Sequence, residues 1–331
     1  MERKNLRRYL IPILFLAGNF AVVSFLPSPH SHFPKHRQKP VLSVRSLGAH
    51  GDGKTDDTRY FQWAVDSVAS LGGGTVLVPS GRYLIDGDVS VKLKSKVTLT
   101  MVDTTAQLIA KPTKSGRFYI LLILNSTDVS ILGGKIIGDR KEHLDTLGEW
   151  GMGIAIYGSR NILIEGTKIS DCWGDGIVIG AKSNAPYNAP NASINVTVKN
   201  VTSDNNRRQA ITVGKANGVL IDSCILTNTN GTKPMAGIDI EPDRDTAQNI
   251  KIQNCTLAYN KGNGIEIYVN RSSVVKNVSA KNNLIHHNAY GGYLIRAQNV
   301  DFNYNRIFGN KYKPFKVLDT VNCVLIPNSF Q

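Results

Sequence analysis

The chain has 331 residues, enough for one large domain, and 19% of them are charged. The formal net charge is +14 at pH 7, of which residues 1–40 contribute six. A basic body suits an anionic partner, although charge alone says nothing about chemistry. No nucleic-acid motif and no basic stripe with interleaved aromatic residues stands out, so the sequence argues against a nucleic-acid partner.

The first 26 residues have the character of an export segment. Four basic side chains within positions 3–8 precede an apolar run of 18 residues at 9–26. This pattern predicts either a cleaved signal peptide or an uncleaved membrane anchor, followed by a linker at 27–40. The body at 41–331 is therefore expected to be secreted, periplasmic or held at the cell surface, and to meet a membrane only through an uncleaved N-terminal segment.

A helix is predicted near residues 60–71, because four apolar residues recur there at helical spacing and Asp56 or Asp57 can cap its start. These apolar residues are Phe61, Ala64, Val65 and Val68. A helix with one apolar face, placed ahead of the first strands, would cover one end of the core.

The residues on either side of this helix resemble a known superfamily. GDGKTDD at 51–57 and GGGTVLVPSGRY at 72–83 look like the N-terminal part of the pectate-lyase and polygalacturonase superfamily. The resemblance implies an all-β fold, a right-handed parallel β-helix (solenoid) with an N-terminal capping helix. It does not imply one reaction, because this superfamily includes hydrolases, lyases, epimerases and phage tailspikes.

The catalytic motifs of the best-known members are missing. Polygalacturonases would imply Asn-Thr-Asp, Gly-His-Gly and Arg-Ile-Lys stretches, and only the sequence GDGI at 174–177 is similar to their Asp-Asp region. The Asp-Pro-His motif of alginate epimerases is also absent from the sequence. The resemblance therefore supplies no catalytic residue.

A repeat of roughly 22 to 34 residues supports the same fold independently. Each unit has two β-branched residues, an apolar residue, a polar turn, a glycine and a second alternating strand. Six positions anchor the units: Cys172, Asn206, Thr229, Asn260, Asn288 and Asn310. Such units bury their apolar face only by stacking, as in a parallel β-helix. A β-sandwich would show turns at shorter spacing, and the leucine-rich repeat signature is missing.

Stacking brings equivalent residues of successive units to about 4.8 Å. One outward column is predicted to read Ala155, Val178, Thr212, Asp239, Glu266, Leu294 and Lys316. The next is predicted to read Tyr157, Gly180, Gly214, Glu241, Tyr268, Arg296 and Leu318. One exposed face should therefore collect Asp239, Glu241 and Glu266, with Tyr268 and Arg296 beside them.

Three carboxylates on one face predict acid–base chemistry. Adjacent carboxylates cannot all stay charged at low cost, so one keeps a proton near neutrality while another remains ionised. Glycoside hydrolysis needs such a pair, and Asp239, Glu241 and Glu266 are predicted to share the acid, base or nucleophile roles. The function predicted from the sequence is that of an exported glycosidase degrading an acidic polysaccharide without a cofactor.

Two alternatives remain open. Asp239, Glu241 and Asp243 have the oxygen ligands that Ca²⁺ prefers, which would make the chain a calcium-dependent polysaccharide lyase or C5-epimerase. A β-helix can also bind carbohydrate, or form a surface structure, without catalysis. The sequence leaves the sugar, the linkage and the oligomeric state open.

Eight side chains are predicted to contact the substrate. Neighbouring arginines in a turn can present a fork to carboxylate or sulfate, and tyrosine or tryptophan rings can stack on sugars. Insertions before Ile154, after Gly180 and before Ile238 flank the same face, where binding residues are expected. The predicted set is Arg207, Arg208, Arg296, Tyr157, Tyr268, Asp175, Trp150 and His143.

Overall fold

The computed structural model describes residues 39–182, 188–270 and 272–330. The predicted export segment at 1–26 and nearly all of the linker at 27–40 lie outside these residues. Residues Lys39–Gln331 form one compact unit. In the part of the chain that is described, no helix has the length and apolar character needed to cross a membrane.

Three parallel sheets wind around one core, and each turn of the chain visits them in the same order. Sheet 1 consists of β1 (Val41–Ser43), β3 (Gly74–Val78), β6 (Val97–Met101), β9 (Thr127–Leu132), β12 (Arg160–Glu165), β15 (Ser193–Lys199), β18 (Ala216–Asp222), β21 (Thr246–Gln253), β24 (Val274–Lys281), β27 (Gln298–Asn303) and β30 (Val321–Val324).

Sheet 2 consists of β2 (Asp52–Asp56), β4 (Gly81–Ile85), β7 (Ala106–Ala110), β10 (Lys135–Ile137), β13 (Lys168–Ser170), β16 (Thr202–Asp204), β19 (Ile225–Thr227), β22 (Thr256–Ala258), β25 (Leu284–His286), β28 (Arg306–Phe308) and β31 (Ser329–Phe330). Sheet 3 consists of β5 (Val91–Leu93), β8 (Arg117–Leu124), β11 (Trp150–Tyr157), β14 (Ile177–Gly180), β17 (Ile211–Val213), β20 (Ile238–Ile240), β23 (Ile265–Tyr268), β26 (Tyr290–Ile295) and β29 (Lys313–Leu318). The predicted parallel β-helix is confirmed.

The core is built from columns of similar apolar side chains on successive strands. Ile177, Ile211, Ile238 and Ile265 pair in register on four successive strands of sheet 3, and all four are fully buried. Side chains alternate along a strand, so the residue that follows each of these isoleucines faces outward. The outer face of sheet 3 is thus free to carry chemistry without disturbing the core.

The anchors of the sequence repeat also hold successive turns together. The backbone N–H of Asn260 donates to Asn288 Oδ1 at 3.1 Å, and that of Asn288 donates to Asn310 Oδ1 at 2.9 Å. Asn260 and Asn288 are buried and Asn310 is half-buried, so the Oδ1 atoms of Asn288 and Asn310 each satisfy a backbone N–H that could not reach water. This explains why the repeat favours asparagine at this position.

The N-terminal helix α1 spans Thr58–Ser70, close to its predicted place. Its apolar face belongs to the same core as the strands. Asp56 Oδ1 accepts a hydrogen bond from the Thr58 N–H at 3.0 Å, whereas Asp57 accepts from the backbone of His50 and Gly51 instead. Of the two predicted caps, only Asp56 therefore acts on the first turn of the helix.

In β26 the predicted columns are wrong by one residue. Glu266 pairs with Tyr293 and Tyr268 pairs with Ile295, so Leu294 points inward and Arg296 falls outside the column. The physical reason is space, because a Cβ on the inward Gly292 would lie only 2.9 Å from Phe315. Only glycine fits at this inward position, and the shift of register by one residue places Gly292 there.

Candidate functional site on the outer face of sheet 3

The outer face of sheet 3 begins with an apolar patch. Tyr119, Leu122, Met152, Ala155 and Tyr157 pack together there on β8 and β11. The rings of Tyr157 and Tyr119 meet edge to face, with centroids 5.9 Å apart. Tyr157 is only 5% exposed, so this predicted sugar-stacking ring offers almost no surface to the solvent.

The next strands carry the predicted acids. Thr212, Asp239 and Glu266 pair in register on β17, β20 and β23. The expectation of an exposed strand is wrong for Asp239, which is completely buried. Gln209 Nε2 covers it and donates to Asp239 Oδ2 at 2.8 Å, while Asp239 Oδ1 has no hydrogen-bond partner among the described residues.

Both members of the Asp239–Glu266 pair tend to hold protons. Burial raises the pKa of Asp239 well above its usual range, and the carboxyls of Glu266 and Glu241 add to this effect. Burial also raises the pKa of Glu266 to about 7, although a 2.7 Å hydrogen bond from Asn263 Nδ2 acts in the opposite direction. Glu266 is 9% exposed and thus keeps a narrow path to the solvent.

Arg208 is the cation at the centre of the acids. Its Nη1 lies 3.3 Å from Asp175 Oδ2, and its Nε lies 3.8 Å from Glu149 Oε2. Burial acts to lower the pKa of Arg208, but the surrounding acids, with Asp175 first, outweigh burial and raise it. One arginine therefore compensates several carboxylates at once.

Asp175 is buried next to this arginine. Thr212 Oγ1 donates to Asp175 Oδ2 at 2.8 Å, and the backbone N–H of Gln209 donates to Asp175 Oδ1 at 3.3 Å. Burial raises the pKa of Asp175, while Arg208 and the hydrogen bonds act in the opposite direction. Asp175 therefore holds Arg208 in place, and both residues lie at the wall of the cleft described next.

Glu241 opens onto a cleft of about 480 Å³. Burial raises the pKa of Glu241, and Arg208 counteracts this shift. Gly180 and Gly214 form the cleft floor next to Glu241, and a Cβ built on either would meet only ordinary contacts at 3.4 Å or more. The side chain missing from both positions leaves room for a ligand to approach the backbone.

Cations and one aromatic ring complete the cleft. Arg117, Lys182 and Lys215 line it, and Lys215 pairs with Asp245 at 2.9 Å. Trp150 is 39% exposed and carries the Arg117 guanidinium 4.6 Å above its ring. Trp150 therefore lies where the sequence predicted it, on the border of the cleft.

Two predicted contact residues have other roles. His143 is buried, lies 4.0 Å from the Trp173 ring between centroids, and shares a 2.7 Å hydrogen bond between its Nδ1 and Asp139 Oδ2. Arg207 places its guanidinium 3.8 Å from the Trp173 ring and donates to the Gly148 carbonyl at 2.9 Å. Both side chains pack the inserted loop onto the solenoid and do not line the cleft.

The remaining two predicted contact residues lie further along the sheet. Tyr268 occupies its predicted column beside Glu241 and is 38% exposed. Arg296, displaced by the register shift, donates to the Val269 carbonyl at 3.0 Å and lies 3.9 Å from Asp319. The structure thus brings Tyr268, but not Arg296, next to the acids.

The structure also adds residues that the sequence reading missed. Gln209 and Asn263 each stand three positions before an outward residue of the acid column and donate to Asp239 and Glu266. The repeat places both residues in a third outward column, but it gives no signal for the hydrogen bonds that they make. Glu149 and Lys182 come from insertions, which have no counterpart in the repeat and give no positional signal.

The carboxylates named for calcium do not assemble around a common point. Asp239 is buried under Gln209, whereas Glu241 and Asp243 line the cleft. In the described residues, no group of three or more His, Cys, Asp or Glu side chains has an arrangement suited to a metal ion. The donor set therefore does not fit the predicted Ca²⁺ site.

Comparison with known proteins agrees with this architecture. The model of the right-handed β-helix region matches residues 114–241, 151–292 and 235–331, and a pectate lyase-like rhamnogalacturonase A/epimerase model matches residues 41–120. The chain belongs to the right-handed parallel β-helix superfamily. As a member of this superfamily, it carries its acids on a face that the fold leaves open to variation.

Individual relatives differ in what they do. An uncharacterized Bacillus subtilis protein, YclG, is 30% identical over 242 residues, covering 65% of this chain and 41% of that protein. Alginate lyase 7 of Azotobacter vinelandii is 41% identical over 75 residues, covering 20% of this chain and 9% of the lyase. The chain thus spans about two fifths of the length of the first curated relatives that it matches.

A solved structure shows the same fold. The Streptococcus pneumoniae surface protein and adhesin PfbA superposes with a TM-score of 0.56 at 18% identity, covering 88% of this chain and all of the PfbA chain. Because this chain is similar both to an adhesin and to an alginate lyase, the fold does not decide between catalysis and binding.

Proposed function

We propose that this β-helix cleaves glycosidic bonds of an acidic polysaccharide. The observation that carries the proposal is the contrast between Glu241 and Glu266. Glu241 borders an open cleft, where the charge of Arg208 favours its ionised form, while Glu266 sits one strand away with its pKa raised to about 7. Paired carboxyls with different proton affinities are what glycoside hydrolysis requires.

The two glutamates take different roles. Glu266 holds the proton near neutrality and donates it to the leaving oxygen as the bond from that oxygen to the anomeric carbon breaks. Glu241 acts as the ionised carboxylate, which assists the attack of water and accepts the water's proton. Asp239, being buried, does not touch the substrate and is a positioning residue that stands beside Glu266 in register.

The basic side chains around the cleft support the proposal of an acidic substrate. Arg117, Lys182 and Lys215 stand around the glycine floor, where a carboxylate or sulfate on the sugar would find positive charge. Trp150 offers a ring at the border of the same cleft. An acidic polysaccharide outside the cytoplasm also agrees with the export segment predicted at residues 1–26.

Elimination or C5 epimerisation of a uronate is the second candidate. The similarity to alginate lyase 7 over one fifth of the chain favours it. A carboxylate near a uronate could take the C5 proton in place of activating water, with Arg208 near the acidic group. The calcium-dependent form is disfavoured because Asp239 is separated from Glu241 and Asp243.

One experiment separates these reactions. The full chain is incubated with neutral, uronic and sulfated polysaccharides while reducing ends and the ultraviolet absorbance of unsaturated uronates are followed. New reducing ends without absorbance are expected, and Glu241→Gln should reduce turnover by about 10²–10⁴-fold. Glu165→Gln on sheet 1 is the matched control and should retain turnover.

Three other outcomes would contradict the proposal of a hydrolase. Reducing ends with absorbance would establish a lyase on the same cleft. Products that persist in Glu241→Gln would remove Glu241 from the mechanism. The absence of any product across the panel would make the chain a binding or structural β-helix.

A further inference from the structure

Beyond the acids, the outer face of sheet 3 changes to rings and positive charge. Tyr290 and Tyr293 lie on β26, and their ring centroids are 5.8 Å apart. Tyr312, in the next turn, lies 5.2 Å from Tyr290. The three rings form a continuous aromatic surface on β26 and just before the start of β29.

Three lysines border these rings, and we define the basic tyrosine patch as Tyr290, Tyr293, Tyr312, Lys311, Lys313 and Lys316. Lys316 Nζ lies 4.9 Å from the centre of the Tyr293 ring, and Lys311 Nζ lies 5.1 Å from the centre of the Tyr312 ring. Lys313 stands beside Tyr290 in the strand register. None of the three lysines has a carboxylate within 4 Å among the described residues.

The patch continues the face that carries Glu241. Strands β20, β23, β26 and β29 are consecutive in sheet 3, so along the solenoid axis the patch begins two strand spacings from Glu241 and ends three spacings away, about 10 to 14 Å. The charge along this face reverses from the acid cluster to the lysines. A chain lying along the solenoid axis would therefore cross the cleft and then the patch.

We propose that the basic tyrosine patch binds further sugar units of an acidic polysaccharide, outside the cleft where bonds are cleaved. Tyrosine rings offer flat apolar surface to sugar rings, and lysines held against them offer charge to carboxylate or sulfate groups. The assignment of the substrate rests on the proposed function, but binding to the patch is measurable without turnover. An anionic glycan fits both the unpaired lysines and the continuity with the cleft.

The sequence did not reveal this patch, because its rings come from two different turns of the solenoid. The stretch from 311 to 316, with three lysines around Tyr312 and Phe315, is too short to stand out in the sequence as a basic stripe, yet single-stranded nucleic acid also binds surfaces of this kind. The glycan is favoured because the patch lies on the same face as the carboxylate cleft. Nucleic acid is accordingly one outcome of the test.

Binding is measured with the full chain carrying Glu241→Gln, so that the probes are not degraded. Dextran sulfate and polygalacturonate are the anionic probes, dextran is the uncharged counterpart of the first, and calorimetry gives the Kd. Lys313→Glu with Lys316→Glu is expected to weaken anionic binding at least tenfold and to flatten its dependence on salt. The neutral pair Lys313→Gln with Lys316→Gln should show a smaller loss, and Tyr312→Ala should also weaken binding.

The control is an equal change of charge elsewhere. Lys135 and Lys168 are paired in register on sheet 2, and Lys135→Glu with Lys168→Glu should leave the Kd within twofold. Equal losses in both charge reversals, an unchanged Kd in the patch variants, or equally tight binding of oligodeoxythymidine would each overturn the proposal. Binding that depends on the patch in a chain without hydrolase activity would contradict the proposed function alone.

Discussion

Asp239 and Glu266 stand side by side in register on neighbouring strands, two buried carboxyls in one column. The cation whose charge acts on both, Arg208, is already engaged with Asp175 and Glu149. The pair cannot lose both protons at low cost and therefore titrates as a unit. This relationship determines how both stability and activity should respond to pH.

Stability should fall as the pH rises from about 4.5 to about 7. The folded pKa of Glu266 is raised from 4.5 to about 7, so the folded state holds more protons than the unfolded state between these values. The free energy of unfolding decreases with pH in that window. Glu266→Gln should remove this loss and gain on the order of 1–3 kcal/mol relative to the unmodified chain at pH 8.

Denaturant unfolding at pH 5 and pH 8 measures this difference. Glu142→Gln, on an exposed part of the inserted loop, serves as the control. Equal pH dependence in the chain with and without Glu266→Gln would show that Glu266 ionises normally.

Activity should decline as the pH rises through about 7, because Glu266 must be protonated to donate its proton. Asn263 donates a 2.7 Å hydrogen bond to Glu266 Oε2 and thereby favours the charged form. Asn263→Ala should raise the pKa of Glu266 and move the basic limb of kcat/KM to higher pH. A limb that stays in place would separate Glu266 from the proton donor.

Replacing Arg208 should leave buried acids uncompensated. Arg208→Met is expected to cost about 3–5 kcal/mol of unfolding free energy at pH 7, and less at pH 5, where the acids can take up protons. Arg208→Lys keeps the charge but loses the fork, so its loss should be smaller. Chemical denaturation of both variants measures the effect. Arg160→Met, which replaces an exposed arginine, serves as the control. A loss in Arg208→Met that does not depend on pH would contradict the electrostatic cause.

Filling the cleft floor should block the substrate while preserving the fold. A Cβ at Gly214 would meet the Ile179 carbonyl at 3.5 Å, an ordinary contact, so a larger side chain would extend into the cleft. Gly214→Phe should raise KM at least tenfold with an unchanged melting temperature, and Gly214→Ala should have a smaller effect. Enzyme kinetics measure KM, and thermal unfolding checks that the fold is kept. An unchanged KM in a folded Gly214→Phe variant would show that the substrate binds elsewhere.

Removing Arg207 should loosen the inserted loop. The variant Arg207→Ala loses the contact with Trp173 and the hydrogen bond to Gly148, worth about 1–3 kcal/mol together. Limited proteolysis should then cut within residues 139–150 at lower protease concentrations. Resistance equal to that of the unmodified chain would mean that His143 and its neighbours hold the loop without Arg207.

The repeat in the sequence predicts which strands stack and brings Asp239 next to Glu266. It could not predict that Gln209 covers Asp239, because a turn residue one strand away determines that burial. It also placed Arg296 in the wrong column, since the shift at Gly292 depends on the volume of Phe315 in the next turn. His143 was assigned to the cleft because its insertion flanks the right face, although stacking on Trp173 turns it inward.

Gly180 and Gly214 sit on a surface that is supported by the buried aliphatic side chains behind it. Side chains of different size at these two positions would change the depth of the cleft while the interior stayed the same. Descendants of this chain could therefore acquire new sugar preferences through one or two substitutions, without passing through unfolded intermediates.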